Sequence, residues 1–140
     1  MSLKINLKLI SSSKAVFFDF DGVIKDSIEI KSKAFGELFQ EFGPDFVQKV
    51  KIHNEENCGV SRFEKIPAYM KWAGIVPDNE NLKQYLEEFS SITIQKVINS
   101  KWIPGVFSYL KQNNNKQLFF MLTSTTQEDI EIIVSELEIQ

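Results

Sequence analysis

The chain has 140 residues, of which 43% are hydrophobic and 12% aromatic, enough to bury the core of one domain or of two small ones. Its 16 basic and 19 acidic residues are interspersed and give a net charge of −3, which argues against binding to nucleic acid or to an anionic membrane. No apolar run approaches the length of roughly 18 residues that spans a bilayer, and the start of the chain has no signal-peptide pattern. Together with the single cysteine, this leads us to expect a cytoplasmic protein.

The beginning of the chain predicts two strands. Residues 4–10 alternate between polar and apolar side chains, as an edge strand does. Residues 15–20 are apolar except for Asp19, which is typical of a parallel strand covered on both faces. Asp21-Gly22 follows directly, and because Asp-Gly is common turn chemistry, we expect the strand to end there.

The next segment predicts three helices. Apolar side chains recur at three- and four-residue steps over residues 26–42, which indicates an amphipathic helix, and a shorter helix is expected over 45–52. Ser61 and Glu64 have the spacing of a capping box for the third helix. Pro67 falls inside it, so we expect a kink or a later start.

The remaining elements alternate between helix and strand. Pro77-Asp78 predicts the entry to a long helix, and Pro104-Gly105 precedes a short one. Residues 118–122 form a second apolar strand, after which Thr125 and Glu128 have capping-box spacing for a last helix. Two strands separated by about 95 residues of mostly helical pattern predict an α/β core interrupted by a helical insertion.

Two carboxylates stand at the end of the first predicted strand. Asp19 and Asp21 are two residues apart, so strand geometry points both side chains the same way. The crevice beyond the carboxyl ends of parallel strands is where ligands bind in open α/β sheets. Turn chemistry explains Asp21, but a carboxylate among apolar neighbours is costly to bury unless a cation compensates it. We therefore predict a functional site that includes Asp19.

Residues 17–27, FFDFDGVIKDS, resemble motif I of the haloacid dehalogenase-like (HAD) hydrolases, four apolar residues followed by Asp-x-Asp-x-Thr/Val. The resemblance implies that Asp19 is the nucleophile that forms an aspartyl-phosphate and also a ligand of Mg²⁺. It implies that Asp21 is the general acid and base, with its backbone carbonyl as a further Mg²⁺ ligand. The expected activity is that of a Mg²⁺-dependent phosphatase acting on a small phosphorylated metabolite.

Further segments are similar to other parts of the same family. The second strand ends in Thr123 and Ser124, which resemble motif II and would bind the transferring phosphoryl group. The helical stretch stands where this family inserts a cap domain, and residues 58–65 resemble the cap loop of β-phosphoglucomutase-like and phosphoglycolate phosphatase-like members. Arg62 and Lys65 are therefore candidates for substrate contact, with a solvated surface charge as the alternative for each.

The resemblance implies a Rossmann-like core formed by residues 1–26 and 101–140, with a helical cap over residues 27–100. The family's motif III lysine and motif IV acid follow later strands, whereas only 17 residues and no lysine come after Thr123. We therefore expect an incomplete core, an inactive 140-residue chain and self-association through an exposed sheet edge. Two alternatives stay open: a phosphomutase that uses the same two aspartates, and a non-catalytic fragment that serves as an interaction module.

Overall fold

The computed structural model describes residue 10 and residues 12–137. Within these residues the chain forms two strands, six α-helices and one 3₁₀ helix at Gln40–Phe42. In chain order the strands and α-helices are β1 (Ala15–Asp19), α1 (Ile28–Leu38), α2 (Pro44–Glu56), α3 (Arg62–Trp72), α4 (Asn79–Ile98), α5 (Val106–Asn113), β2 (Leu118–Leu122) and α6 (Gln127–Glu136). The mixed α/β architecture with helices inserted between the strands is confirmed, while the edge strand predicted over 4–10 lies outside the described residues apart from residue 10.

The two strands lie side by side and run parallel. Ala15 is opposite Leu118, and Asp19 is opposite Leu122, so the two strands end level with each other. Parallel neighbours require a crossover connection, which the five helices between them provide. The register brings the residues that follow each strand to one edge of the sheet.

One face of this sheet is open. Phe17 is 60% exposed and Phe120 is 46% exposed, and their rings stack with centroids 4.9 Å apart. The prediction that β1 is covered on both faces is therefore wrong for the described part of the chain, in which no helix packs on this side. The opposite face, with Phe18 and Met121, packs against a hydrophobic cluster.

Two clusters of buried apolar side chains form the interior. The first joins α1, α2, α3 and part of α4, and the second joins the strands to α6 and the end of α4. The buried members of the first are Ala34, Phe35, Leu38, Phe39, Val50, Ile66, Tyr69, Met70 and Phe89. Those of the second are Phe20, Ile24, Val97, Ile130, Ile133 and Leu137. None of the described helices is long and apolar enough to cross a membrane.

Helix ends follow the predicted signals only in part: α1 ends at Leu38 rather than at residue 42, and α2 runs to Glu56 rather than to residue 52. Asp78 caps α4 by accepting from the backbone N–H groups of Glu80 and Asn81. Of the two alternatives predicted for α3, a kink or a late start, the late start is wrong, because the helix begins at Arg62 and contains Pro67; its buried face offsets the lost backbone hydrogen bond. The cap of α6 is Thr126 rather than Thr125, because the Thr125 hydroxyl accepts a hydrogen bond from Lys31 instead.

Candidate active site

Asp19 is the last residue of β1 and is open to the cavity beyond the strand ends. Its side chain is exposed, and its Oδ1 accepts a hydrogen bond of 2.6 Å from the backbone N–H of Phe20. The expectation of a buried carboxylate is therefore wrong, because this side chain lies on the open face of the sheet. An exposed carboxylate with an oxygen facing a cavity is accessible to an incoming substrate.

A tight turn carries the chain from β1 to α1. Gly22 has a φ of +74°, and a Cβ at this position would lie 2.4 Å from the Ile28 side chain. The positive φ favours glycine here, whereas the close contact involves the end of the exposed Ile28 side chain, which can move aside. The turn positions Asp21 over the start of α1.

Asp21 accepts hydrogen bonds from two side chains of the first turns of α1. Ser27 Oγ donates to Asp21 Oδ1 at 2.6 Å, and Lys31 Nζ lies 2.5 Å from Oδ2. Lys31 also donates to Thr125 Oγ1 at 2.6 Å and so bridges the ends of both strands. Sequence reasoning missed Lys31, although its position one helical turn after Ser27 places both on one face of α1.

Thr123 and Ser124 follow β2 and line the same cavity as Asp19 and Asp21. Thr123 Oγ1 accepts from the backbone N–H of Thr125 at 3.1 Å and lies 3.1 Å from Thr125 Oγ1. The predicted neighbourhood of Thr123 and Asp19 follows from the parallel register, which puts Leu122 directly opposite Asp19. Helix α6 begins shortly afterwards, so its first backbone N–H groups lie near the strand ends.

Arg62 reaches from α3 across to α6. Its guanidinium lies 2.7 Å from Asp129 Oδ2 and donates to Ser90 Oγ and Thr126 Oγ1, each at 3.1 Å. The Arg62 and Asp129 side chains are only 11% and 10% exposed, so the alternative of a solvated surface charge is wrong for Arg62. Arg62 lines the cavity, and its Nε is buried without a hydrogen-bond partner.

Lys65 is also buried rather than solvated. The residue is 3% exposed, and Nζ donates to Asn54 Oδ1 at 2.8 Å, while Asn54 Nδ2 donates to Ser32 Oγ at 3.1 Å. Burial lowers the pKa of the Lys65 ammonium, because desolvation disfavours its charged form. Lys65 belongs to the cavity wall, formed there by α1, α2 and α3.

One cavity of about 550 Å³ is lined by all six candidate site residues predicted from the sequence. They are Asp19, Asp21, Arg62, Lys65, Thr123 and Ser124. Its size is within the range of small-molecule sites, roughly 300–1,000 Å³. The strand ends supply carboxylates and hydroxyls, whereas the helices supply Lys31, Arg62 and Lys65.

The oxygen donors at the strand ends are of the kind that Mg²⁺ prefers. No group of three His, Cys, Asp or Glu side chains suited to a metal occurs within the described residues. Mg²⁺ is nevertheless commonly held by one or two carboxylates together with water and substrate phosphate. The exposed Asp19 carboxylate, which lines the cavity, is a ligand of that type.

Comparison with known proteins agrees with this arrangement. A family model described as haloacid dehalogenase-like hydrolase matches residues 16–140. The chain belongs to the haloacid dehalogenase-like hydrolase family. This match includes β2, all six α-helices of the described structure and β1 except its first residue, so the HAD core with an inserted helical cap is the fold of this chain.

Solved structures of HAD hydrolases share the fold at low identity. A family IA, variant 3 hydrolase from Entamoeba histolytica gives a TM-score of 0.65 at 15% identity, covering 89% of this chain and 55% of its own. A protein from Lactobacillus plantarum assigned as a phosphoglycolate phosphatase gives 0.59 at 15% identity, with 90% and 56% covered. A HAD hydrolase from Deinococcus radiodurans, solved with bound phosphate and sodium, gives 0.54 at 19% identity, with 93% and 55% covered. The chain therefore spans a little over half the length of these proteins.

Proposed function

We propose that this chain carries the phosphoryl-transfer site of a Mg²⁺-dependent phosphatase for small phosphorylated metabolites. The observation that carries the proposal is the meeting of Asp19, Asp21 and Thr123 at the level ends of two parallel strands, in one cavity of metabolite size. The family membership supports the hydrolase class. A bound Mg²⁺ would supply positive charge to the phosphate and would be held by Asp19 and the Asp21 carbonyl.

The proposed reaction has two steps. In the first, an Asp19 carboxylate oxygen attacks phosphorus, the ester P–O bond breaks, and the leaving oxygen takes a proton from Asp21, which must hold that proton in place of its ion pair with Lys31. In the second, water attacks the aspartyl-phosphate, gives its proton to Asp21, and inorganic phosphate leaves as the bond to Asp19 breaks. Thr123 and Ser124 would donate hydrogen bonds to phosphoryl oxygens throughout, and the start of α6 would favour their negative charge.

The division into core and cap is part of the proposal. Residues 27–100 would form the cap, and residues 1–26 and 101–140 the core. The two hydrophobic clusters support this division, since one is built almost wholly from α1 to α4. Helix α4 joins the two parts, because Phe89 belongs to the first cluster and Val97 to the second.

The test is the substitution Asp19→Asn. An amide is a poor nucleophile and carries no charge for Mg²⁺, so release of phosphate from p-nitrophenyl phosphate should fall at least about 10³-fold in a form of the protein that also carries the family's motif III lysine and motif IV acid. A readout without turnover is ¹⁹F NMR of beryllofluoride, which mimics an aspartyl-phosphate and should bind in the presence of Mg²⁺ only when Asp19 is intact. Asp45→Asn, an exposed position outside the cavity, serves as the control. Beryllofluoride binding that persists in Asp19→Asn would contradict the proposal.

A further inference from the structure

Lys25 is a buried lysine in the segment that joins β1 to α1, and its charge has no carboxylate partner. The residue is only 1% exposed. In the described part of the chain, no Asp or Glu forms an ion pair with it. Burial lowers the pKa of the ammonium, because desolvation disfavours its charged form. A methionine would fill similar space without this cost, so packing alone does not account for a lysine here.

The Lys25 side chain reaches the C-terminal end of α4. Its Nζ donates a hydrogen bond of 3.0 Å to the carbonyl oxygen of Ile98, the last residue of that helix. The same Nζ lies 4.8 Å from the centroid of the Trp102 ring. Carbonyl groups in the last turn of a helix lack partners within the helix and carry partial negative charge, so a lysine donor is favourable there. Lys25 therefore joins the turn after β1 to the end of α4.

The Lys25 backbone is in turn connected to Asp21. The Gly22 N–H donates to the Lys25 carbonyl oxygen at 2.7 Å and so closes the turn directly after Asp21. Ser27 Oγ lies 3.3 Å from the same carbonyl oxygen, and it donates to Asp21 Oδ1 at 2.6 Å. The position of Lys25 thus affects both the turn that carries Asp21 and the hydroxyl that holds its carboxylate.

Two backbone hydrogen bonds tie this segment to the chain that leaves α4. The Asp26 N–H donates to the Lys101 carbonyl oxygen at 2.8 Å. The Ile103 N–H donates to the Ile24 carbonyl oxygen at 3.0 Å. The Lys25 side chain adds a third contact between them, and this contact is made to the helix itself. Removing it leaves the segment attached but no longer fixed against α4.

We infer that Lys25 is a positioning residue for Asp21, the proposed general acid. By holding the turn against the end of α4, it fixes the Asp21 carboxyl group in the wall of the cavity. The inference rests on the proposed function, because it takes Asp21 as the group that protonates the leaving oxygen. Loss of the Lys25 side chain should weaken this proton transfer more than substrate binding, since a displacement of about 1 Å can cost about 10²-fold in rate.

The kinetic test uses a form of the protein that also carries the family's motif III lysine and motif IV acid. Its substrates are p-nitrophenyl phosphate and phenyl phosphate, which differ only in the nitro group. Because p-nitrophenol leaves readily as an anion, phenyl phosphate depends more on the general acid. Lys25→Met keeps most of the side-chain volume and removes the donor. Val50→Ala, in the first hydrophobic cluster, is the control for a loss of stability.

We expect Lys25→Met to lower kcat at least about 10-fold for phenyl phosphate and less than about 3-fold for p-nitrophenyl phosphate, with both KM values within about 2-fold. Val50→Ala should change both kcat values by the same factor. In an Asp21→Asn background, Lys25→Met should change kcat less than about 2-fold, because the acid through which Lys25 acts is gone. Equal effects on the two substrates, or a full loss in the Asp21→Asn background, would overturn the inference and leave the proposed function standing.

Failure of the proposed function would give a different result. If the wild-type form releases no phosphate, or if Asp21→Asn is as active as wild type on phenyl phosphate, the proposed function fails and the inference with it. Hydrogen exchange of the 140-residue chain tests the anchoring separately. The Gly22 and Asp26 amides should be protected at least about 10-fold, and Lys25→Met but not Val50→Ala should reduce this protection. Unprotected amides in the wild-type chain overturn the inference even if Lys25→Met does not fold.

Discussion

At the scale of single residues, the bridge that Lys31 makes between Asp21 and Thr125 is the feature with the most direct bearing on catalysis. The Lys31 ammonium lies 2.5 Å from Asp21 Oδ2 and 2.6 Å from Thr125 Oγ1, next to the proposed phosphate site. A charge placed there can hold Asp21 in position and attract the phosphate dianion. Either contribution makes Lys31 a positioning residue that the proposed reaction needs.

In a form of the protein that also carries the family's motif III lysine and motif IV acid, we expect Lys31→Met to lower kcat/KM for p-nitrophenyl phosphate by about 10- to 100-fold, the equivalent of one lost charge-assisted hydrogen bond. Lys31→Arg should recover part of the loss, because it keeps the charge. The matched control is Lys33→Met on the same helix, where the lysine forms an exposed pair with Glu29. Steady-state kinetics over a range of pH would measure the effect and separate kcat from KM. A Lys31→Met enzyme as active as Lys33→Met would rule out this role.

At the scale of elements, the contact between Arg62 on α3 and Asp129 on α6 ties the helical insertion to the strand-bearing part. Both side chains are about nine-tenths buried, and Ser90 of α4 donates to the same carboxylate at 3.0 Å. Removing one partner of such a pair leaves the other charge uncompensated. The contact should therefore contribute to stability as well as to the shape of the cavity.

We expect Arg62→Met to reduce the free energy of unfolding by about 3–5 kcal/mol, as for other buried ion pairs that lose one member. Urea denaturation followed by circular dichroism measures this change. The comparison is Lys83→Met, which breaks an exposed pair with Glu87 at 3.7 Å and should change stability by less than about 0.5 kcal/mol. Similar small losses for the two variants would show that the pair between α3 and α6 carries little energy.

The packing of α3 on α2 also predicts how stability changes in alkali. Burial raises the pKa of Tyr69 to about 12, and its hydroxyl lies 3.1 Å from His53 Nδ1. The unfolded chain loses this proton near pH 10, so between pH 10 and 12 the folded state binds more protons and stability falls as pH rises. Tyr69→Phe should remove about 2 kcal/mol of the fall between pH 9 and pH 11.5. Denaturation midpoints at pH 9 and pH 11.5 test this; equal falls in both proteins would contradict it.

At the scale of the whole molecule, the open face of the sheet is the most conspicuous surface. Phe17, Leu118, Phe120 and Leu122 are all exposed on it. Within the described residues, the sheet has only two strands, so each also presents an unpaired edge. Apolar faces and free strand edges promote association between copies of a chain.

We expect the chain to self-associate at micromolar concentration and Phe120→Glu to shift it toward the monomer. The charge would be placed in the centre of the apolar face, where burial against a second copy is costly. Multi-angle light scattering after size exclusion measures the mass of the particle. Val76→Glu, an exposed apolar position between α3 and α4, is the control and should leave the mass unchanged. A wild-type chain that is monomeric at all concentrations would contradict the expectation.

Local spacing in the sequence was sufficient to predict most of the elements and the centre of the site. The apolar runs predicted β1 and β2, capping residues such as Asp78 predicted helix starts, and Asp19 and Asp21 were found from their position at a strand end. These features depend on residues a few positions apart, whose relation is set by helix and strand geometry. Two details of the helices differ from the prediction: α6 is capped by Thr126, and α3 continues through Pro67. Both depend on how these helices pack, which local spacing does not reveal.

Contacts between distant parts of the chain were decided only by the tertiary structure. Lys31 and Thr125 are 94 positions apart, and Arg62 and Asp129 are 67 apart, so no periodicity connects them. The sequence by itself determined which residues stand at the ends of the strands, because the apolar runs and turn residues are local. Only the folded chain decided that Lys65 is buried without a carboxylate and that one sheet face is open, because burial depends on which elements pack together.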